Sequence, residues 1–224
     1  FTKPSATELK VLNSLPTIGG LGKFDESALE KALSGRIASV SATVSNISDD
    51  VAGSTTKEDL ETMLQLLYLN FTAVRADKDA FQAWQERTIS HIEASKANPL
   101  SFLGDSVTRF IFPNNPERYP LSVEEVKSVN YERVLQLFRS RFANARGFEF
   151  YFVGNVDEAA LRPLVEQYIA SLPAQKVYTD KAHTNRVPVE RLGTNKKEYS
   201  APMETPMGIV IDGLSAPTTY SQQE

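Results

Sequence analysis

Apolar positions recur along this chain with two different periods, and the periods place its elements. The clearest alternation lies at 148–153, where Phe148, Phe150 and Phe152 interleave with Glu149, Tyr151 and Val153. That aromatic and β-branched content reads as a strand, and apolar residues on both faces point to a central place in a sheet. Gly154 and Asn155 end it, and Asp157 is an N-cap for a helix. Leu161, Leu164, Val165, Tyr168, Ile169 and Leu172 fall at helical spacing within it. Pro163 offers no N–H to the preceding turn, so either the helix begins near Leu161 or it kinks there. Pro173 stops it.

Upstream, a short helix is expected around Ala6 to Leu15, before Pro16 and the glycines Gly19, Gly20 and Gly22. Asp25 caps a helix from Glu26 to Ser34, with Leu29 and Leu33 inward and Gly35 at C′. Ile37 to Val44 reads as a strand with Ala38, Val40, Ala42 and Val44 on one face and Ser39, Ser41 and Thr43 on the other. The small, uncharged polar face either packs or lines a cavity. Asn46 to Asp50 turns the chain into a partner strand, Val51 to Thr55. Thr55 and Glu58 form a capping-box pattern ahead of the stripe Leu60, Met63, Leu64, Leu67, Phe71 and Val74. Asp77 caps a long helix to about Lys96, with Phe81, Trp84, Thr88 and Ile92 inward. Pro99 breaks it before a helix from Leu100 to Phe110. After the polar loop Pro113 to Pro120, Ser122 and Glu125 make a second capping box, and Asn130 caps Tyr131 to Ala143.

This order of elements is not the strict alternation of a doubly wound sheet. It gives an α+β class: a mixed or antiparallel sheet with helices packed on one face. Phe150 and Phe152, with Leu161, Val165 and Ile169, are expected in one core with Leu60, Leu64 and Leu67. Residues 1–173 form this domain, 174–194 a linker, and 195–224 the opening strands of a next unit, at Asn195 to Ser200 and Met207 to Ile211.

Composition narrows the functions. With 224 residues, 41% hydrophobic and 23% charged, the chain has ordinary globular content. A net charge of −4 without a basic cluster gives no footprint for nucleic acid. No run of about 18 apolar residues is long enough to span a membrane. The absence of cysteine excludes disulfides, thiolate metal sites and a cysteine nucleophile. Phe1 is not an initiator and no signal peptide is visible, so the chain reads as a fragment of something longer.

The run from Gly20 to Phe24, followed by DESALEKALSGRIASVSATVSNISDDVAGSTTKEDLETMLQLL, resembles the M16 (insulinase/pitrilysin-like) zinc peptidases and the mitochondrial processing peptidases. LSVEEVKSVNYERVLQLFRSRFAN and FVGNVDEAALRPLVEQYIASLP are similar to the same family, so the resemblance runs from about residue 5 to residue 173. It implies a clamshell of two related halves enclosing a peptide. One half carries an HxxEH zinc motif and a later glutamate ligand, in which two histidines bind the metal and the glutamate activates water. The positions matching that motif are Val11, Leu12, Asn13, Ser14 and Leu15, none a ligand. Glu93 falls about where the later glutamate would be and cannot hold zinc alone. The resemblance thus implies a third-domain-like segment of the non-catalytic half, with the domain's N-terminal strands missing from the fragment. No catalytic, metal-binding or cofactor-binding residue is assigned, and zinc is expected only in the catalytic half of the parent. The implied partners are a peptide or unfolded polypeptide and the catalytic half, in the same chain or as a partner subunit. A bacterial periplasm or cell envelope follows by analogy. The alternative is an inactive scaffold or partner subunit related to processing-peptidase subunits.

Other candidates have plainer readings. His91 and Glu93, two apart on a helix, point to different faces and make a poor chelate. His183 falls in the linker. Gly19, Gly20 and Gly22 lack the flanks of a phosphate loop and read as a flexible connection. Asn46-Ile47-Ser48 and Asn70-Phe71-Thr72 match glycosylation sequons, the second inside a helix. Arg139, Arg141 and Arg146 read as a solvated helix edge. The serines of Ile37 to Thr55 suggest peptide contact by β-addition to a sheet edge.

Lys176, Lys181, His183, Asn185, Arg186 and Pro188 interrupt any apolar stripe in 174–194. Limited proteolysis is therefore expected to cut there and leave a folded product ending near Leu172. Cuts confined to residues 36–56 would move the boundary.

Overall fold

The computed structural model describes residues 5–45, 48–174 and 193–213. In order these form α1 (Ala6–Leu12), α2 (Leu15–Gly19), α3 (Glu26–Ala32), β1 (Ala38–Val44), β2 (Asp49–Thr55) and α4 (Leu60–Thr72). Then come α5 (Lys78–Lys96), α6 (Pro99–Ile111), α7 (Val123–Ser128), α8 (Tyr131–Phe142) and α9 (Glu158–Leu164), which runs into a π-helical turn at Val165–Ile169. β1 and β2 pair antiparallel, from Ala38 opposite Thr55 to Val44 opposite Asp49. Helix α4 packs on this ribbon from one side, as an α+β arrangement with helices on one face requires.

The alternation in β1 is realised: Ala42 and Val44 are buried, Ala38 and Val40 half-buried, and Ser39, Ser41 and Thr43 exposed. The apolar face meets the stripe of α4, where Met63, Leu64, Leu67 and Phe71 are buried. Phe71 then meets Phe142 of α8 edge-on at 5.4 Å and Phe148 at 5.0 Å. On the far side Phe81 of α5 stacks between Trp84 and Tyr131, at 5.4 and 4.6 Å. The Tyr131 hydroxyl accepts the Asp77 N–H at 2.7 Å.

Most expected caps are present. Asp25, Asp77, Asn130 and Asp157 accept first-turn N–H groups, and Ser122 with Glu125 closes a full capping box. The pair Thr55 and Glu58 does not. α4 starts at Asp59, whose carboxylate accepts the Ile37 N–H at 2.7 Å and Arg36 Nη1 at 3.0 Å. Those two bonds hold the Asp59 carboxyl below the usual range and tie the start of α4 to the entry of β1. Asn98 likewise restarts the chain with Pro99 in the first turn of α6, so the proline opens a helix as well as closing one.

Two expected strands are not seen among the described residues, and the alternatives left open at Pro163 resolve to a helix that runs through it. Phe148 to Val153 carries no strand hydrogen bonds among the described residues, and Tyr151 and Val153 are 79% and 97% exposed. Its Phe148 and Phe150 rings do pack on the core, half-buried, so the alternation is right and the central position is not. Pro163 lies inside α9, and the ladder after it slips to i→i+5, with Ala170 N–H bonding Val165 C=O. Finally, Asn195 to Ser200 and Met207 to Ile211 form no strand; Tyr199 instead rests edge-on against Phe102 of α6 at 6.4 Å. Of the expected linker, 174–194, residues 175–192 lie outside the described residues.

The glycines near residue 20 are held, not loose. Gly22 N–H bonds Ala73 C=O at 2.7 Å and Arg75 N–H bonds Gly20 C=O at 3.1 Å. Gly20 has φ of 80°, and a Cβ there would sit 2.2 Å from the Phe24 oxygen.

Leu64 is fully buried, so Leu64→Ala should cost about 3 kcal/mol in a denaturant titration. Phe150→Ala should cost about 1–2 kcal/mol, because the ring already keeps part of its surface in water. Equal losses at the two positions would show that the 148–153 segment is deeper in the core than its exposure indicates.

Candidate functional site

The five positions from Val11 to Leu15 are where the resemblance puts a zinc motif, and the chain does something else with them. α1 ends at Leu12, Asn13 is its C-cap, and Ser14 starts α2 with Pro16 in the first turn. The break means that residues 11 and 15 do not share one continuous helical face. Val11 and Leu12 are fully buried and Leu15 is 1% exposed, all within the core cluster. The one polar chelating type among them, Asn13, is committed elsewhere. Its Oδ1 accepts the Val44 N–H at 2.7 Å and its Nδ2 donates to the Val44 C=O at 3.3 Å. A zinc ion wants imidazole or carboxylate donors facing a space. These residues do not fit one.

Asn13 instead works as a one-residue strand. Ser45 N–H bonds Ser48 C=O, and Thr56 N–H bonds Ile37 C=O. Odd-numbered residues of β1 therefore face β2, and even-numbered ones face away. Val44 faces away and is capped by the Asn13 amide. Ala38, Val40 and Ala42 present their N–H and C=O groups on the same edge without partners among the described residues. The outer face beside that edge carries Ser39, Ser41 and Thr43, with Ser54, Ala52 and Asp50 opposite them. Among the described residues the ribbon thus has an open edge and a small, nearly uncharged face.

Helix α1 is fixed by two acids. Glu8 pairs with Arg133 of α8, and Glu125 of α7 pairs with Lys10 at 3.2 Å and accepts from Thr7 at 2.9 Å. Burial works against the charge on both carboxyls, yet the Ser5 and Ser122 N–H groups and the paired cations hold them below the usual range. Sequence pattern gave no sign of these pairs or of the Asn13 clamp. Only the polar amide between two apolar runs marked Asn13.

His91 and Glu93 are both exposed on α5, and no group of three metal-ligating side chains occurs among the described residues. His183 and residues 46 and 47 lie outside them. Asn70 is 2% exposed, with Nδ2 donating to the Leu66 C=O at 2.8 Å, so its sequon is closed to a glycan in the folded chain. Of the three arginines, Arg146 is exposed, and two are bonded to other elements. Arg139 donates to the Val74 C=O at 2.6 Å and Arg141 pairs with Asp49 of β2 at 2.8 Å. In the π-turn, Tyr168 donates to Glu61 at 2.8 Å and accepts from Gln65 at 3.0 Å, which fastens the turn to α4.

Residues 128–223 match the family profile described as the peptidase M16 inactive domain. A zinc protease PQQL-like protein of Arabidopsis thaliana is 26% identical over 161 residues, which is 69% of this chain and 16% of that protein. The periplasmic protease PqqL of Escherichia coli superposes with a TM-score of 0.62 at 18% identity, over 84% of this chain and 21% of its own. The ferredoxin protease FusC, solved as a mutant in complex with Arabidopsis ferredoxin, gives 0.58 at 16% identity, over 75% and 18%. A peptidase M16 inactive domain from Pseudomonas fluorescens gives 0.53 at 16% identity, over 75% and 41%. The chain spans only about a sixth of the length of the curated relative.

Asn13→Ala should destabilise the fold by about 1–2 kcal/mol, since both bonds to the Val44 backbone are lost. Asn13→Asp keeps the acceptor for the Val44 N–H and should fall between. Hydrogen exchange at Val44 reports the clamp directly, and unchanged protection in Asn13→Ala would count against it.

Proposed function

We propose that this chain, a relative of the M16 (insulinase/pitrilysin-like) zinc peptidases that matches their inactive domain, forms a non-catalytic wall of the clamshell enclosing a peptide substrate. The observation that carries this reading is the fate of Val11 to Leu15. Where the resemblance would put ligands, this chain places core leucines and valine and an amide clamp. Chemistry then has to come from a catalytic half, in the same polypeptide or in a partner subunit, and that half holds the zinc.

The chain's own contribution is shape and an extended-chain surface. The open edge of β1 and the hydroxyl-bearing face of the ribbon suit a backbone-reading contact with a peptide or unfolded polypeptide. Such a contact ranks substrates by their ability to lie extended more than by side-chain identity. Strands N-terminal to residue 1 in the parent would complete the sheet that β1 and β2 begin. Residues 195–224 open the next unit across the linker 174–194. The E. coli neighbour is described as periplasmic, which supports a bacterial periplasm or envelope for the parent. No described helix is long and apolar enough to cross a membrane.

Two measurements test the reading. The purified chain should carry no stoichiometric zinc and hydrolyse no peptide; stoichiometric metal with chelator-sensitive hydrolysis would refute it. The parent expressed without these residues should lose peptide hydrolysis by on the order of 100-fold, and adding the chain in trans should restore part of it. A truncated parent with undiminished turnover would leave this chain with no role in holding substrate.

A further inference from the structure

From Gly193, in the left-handed region at φ 79°, the chain joins no helix or strand among the described residues. Asn195 Nδ2 donates to the Gly193 C=O at 3.0 Å, and Lys196 pairs with Glu198 at 3.0 Å in solvent. The next side chains alternate. Glu198 and Ser200 are exposed, whereas Tyr199 keeps 37% of its surface in water and Ala201 is half-buried. That two-residue period marks a segment laid by one side along a surface. The surface is α6. The Tyr199 ring meets Phe102 edge-on at 6.4 Å, and its hydroxyl donates to the Ser106 C=O at 3.2 Å. Phe102 and Ser106 stand one turn apart on the same side of the helix, so a single ring reaches both. The Ser106 carbonyl has a second lone pair and takes the hydroxyl without leaving the helical ladder.

We propose that Tyr199 is a reversible latch, fastening the segment that follows the linker to α6 and letting it go. Two small contacts hold it, an edge-on aromatic pair and one hydrogen bond to a neutral carbonyl. Each is worth a factor of roughly two to ten in population, so the fastened state outweighs the released one by about ten- to a hundredfold. At that balance the segment lies on α6 most of the time and is released without unfolding a helix. No residue of α6 is buried, so opening the latch uncovers no core. The latch stands on this chain's own contacts; that it sets the approach of a following unit rests on the multi-unit parent proposed above.

Trypsin reads the latch on the whole chain, because Lys196 and Lys197 lie beside Tyr199 and are cut from the released state. Digestion is stopped while each molecule has been cut at most once, and fragments are weighed by mass spectrometry. Cuts within 175–192 serve as the reference in the same sample. Phe102→Ala leaves the cleaved sequence as it is and should raise the share of cuts after Lys196 and Lys197 about five- to tenfold. The helical signal should hold, since Phe102 is 44% exposed. Tyr199→Phe keeps the ring, loses the bond to Ser106 and should raise the share about threefold. An unchanged share in Phe102→Ala overturns the proposal. So does a rise confined to Tyr199 variants, which would come from the protease's own preference around the cut. Neither result touches the absence of zinc and hydrolysis, which the metal analysis above decides.

Discussion

The ring of Phe71 sits where three parts of the chain meet, and their positions depend on it. It belongs to the buried stripe of α4, it meets Phe142 of α8 edge-on, and it receives Phe148 and Phe150 from the last extended run. These contacts are long-range in sequence, so they form only once loops of dozens of residues have closed. The hydrogen bonds around the hub then fix what the rings have gathered. Arg139 reaches from α8 to the Val74 carbonyl just past α4, and Arg141 ties α8 to β2. The Asp59 carboxylate anchors the other end of α4 to the entry of β1. One helix is therefore fastened at both ends and packed along its length, and the ribbon is laid on it.

That construction also accounts for Val11 to Leu15, where the resemblance would put a zinc motif. An ion needs donors facing a space, whereas Val11, Leu12 and Leu15 are part of the packing that holds α1 against the rest. Replacing them with histidine and glutamate would put polar groups into a core with no space and no partner, a cost of several kcal/mol. The helix break at Asn13 adds a geometric obstacle, because the two histidines of an HxxEH segment must share one face. The amide at the break closes the end of the β1 edge. In this chain the five positions serve packing and a backbone clamp.

Local signals were legible in the sequence, and relational ones were not. The caps at Asp25, Asp77, Ser122, Asn130 and Asp157 could be read because each depends on residues within three positions. The alternation of β1 was legible because one face is buried and the other wet. The Thr55–Glu58 box failed although its pattern was right, since Asp59 next door was held by Arg36 and Ile37, outside any local window. The arginines of α8 looked solvated for the same reason. Near Gly20 the error ran the other way: three glycines suggested looseness, but they admit a close backbone approach to Ala73 and Arg75.

The run from Phe148 to Val153 shows where pattern stops and topology begins. Alternation states which side chains face inward, and here it states it correctly. It says nothing of neighbours on either edge, because a strand is defined by a partner's hydrogen bonds as much as by its own residues. The edge of β1 poses the same problem with different consequences. Its exposed side chains are serine and threonine, and part of it is closed by Asn13. The later run carries phenylalanine, tyrosine and valine, so leaving it unpaired exposes apolar surface as well as peptide groups. Two open edges on one small domain therefore differ in kind. One presents small polar side chains beside its free groups, and the other presents large apolar ones.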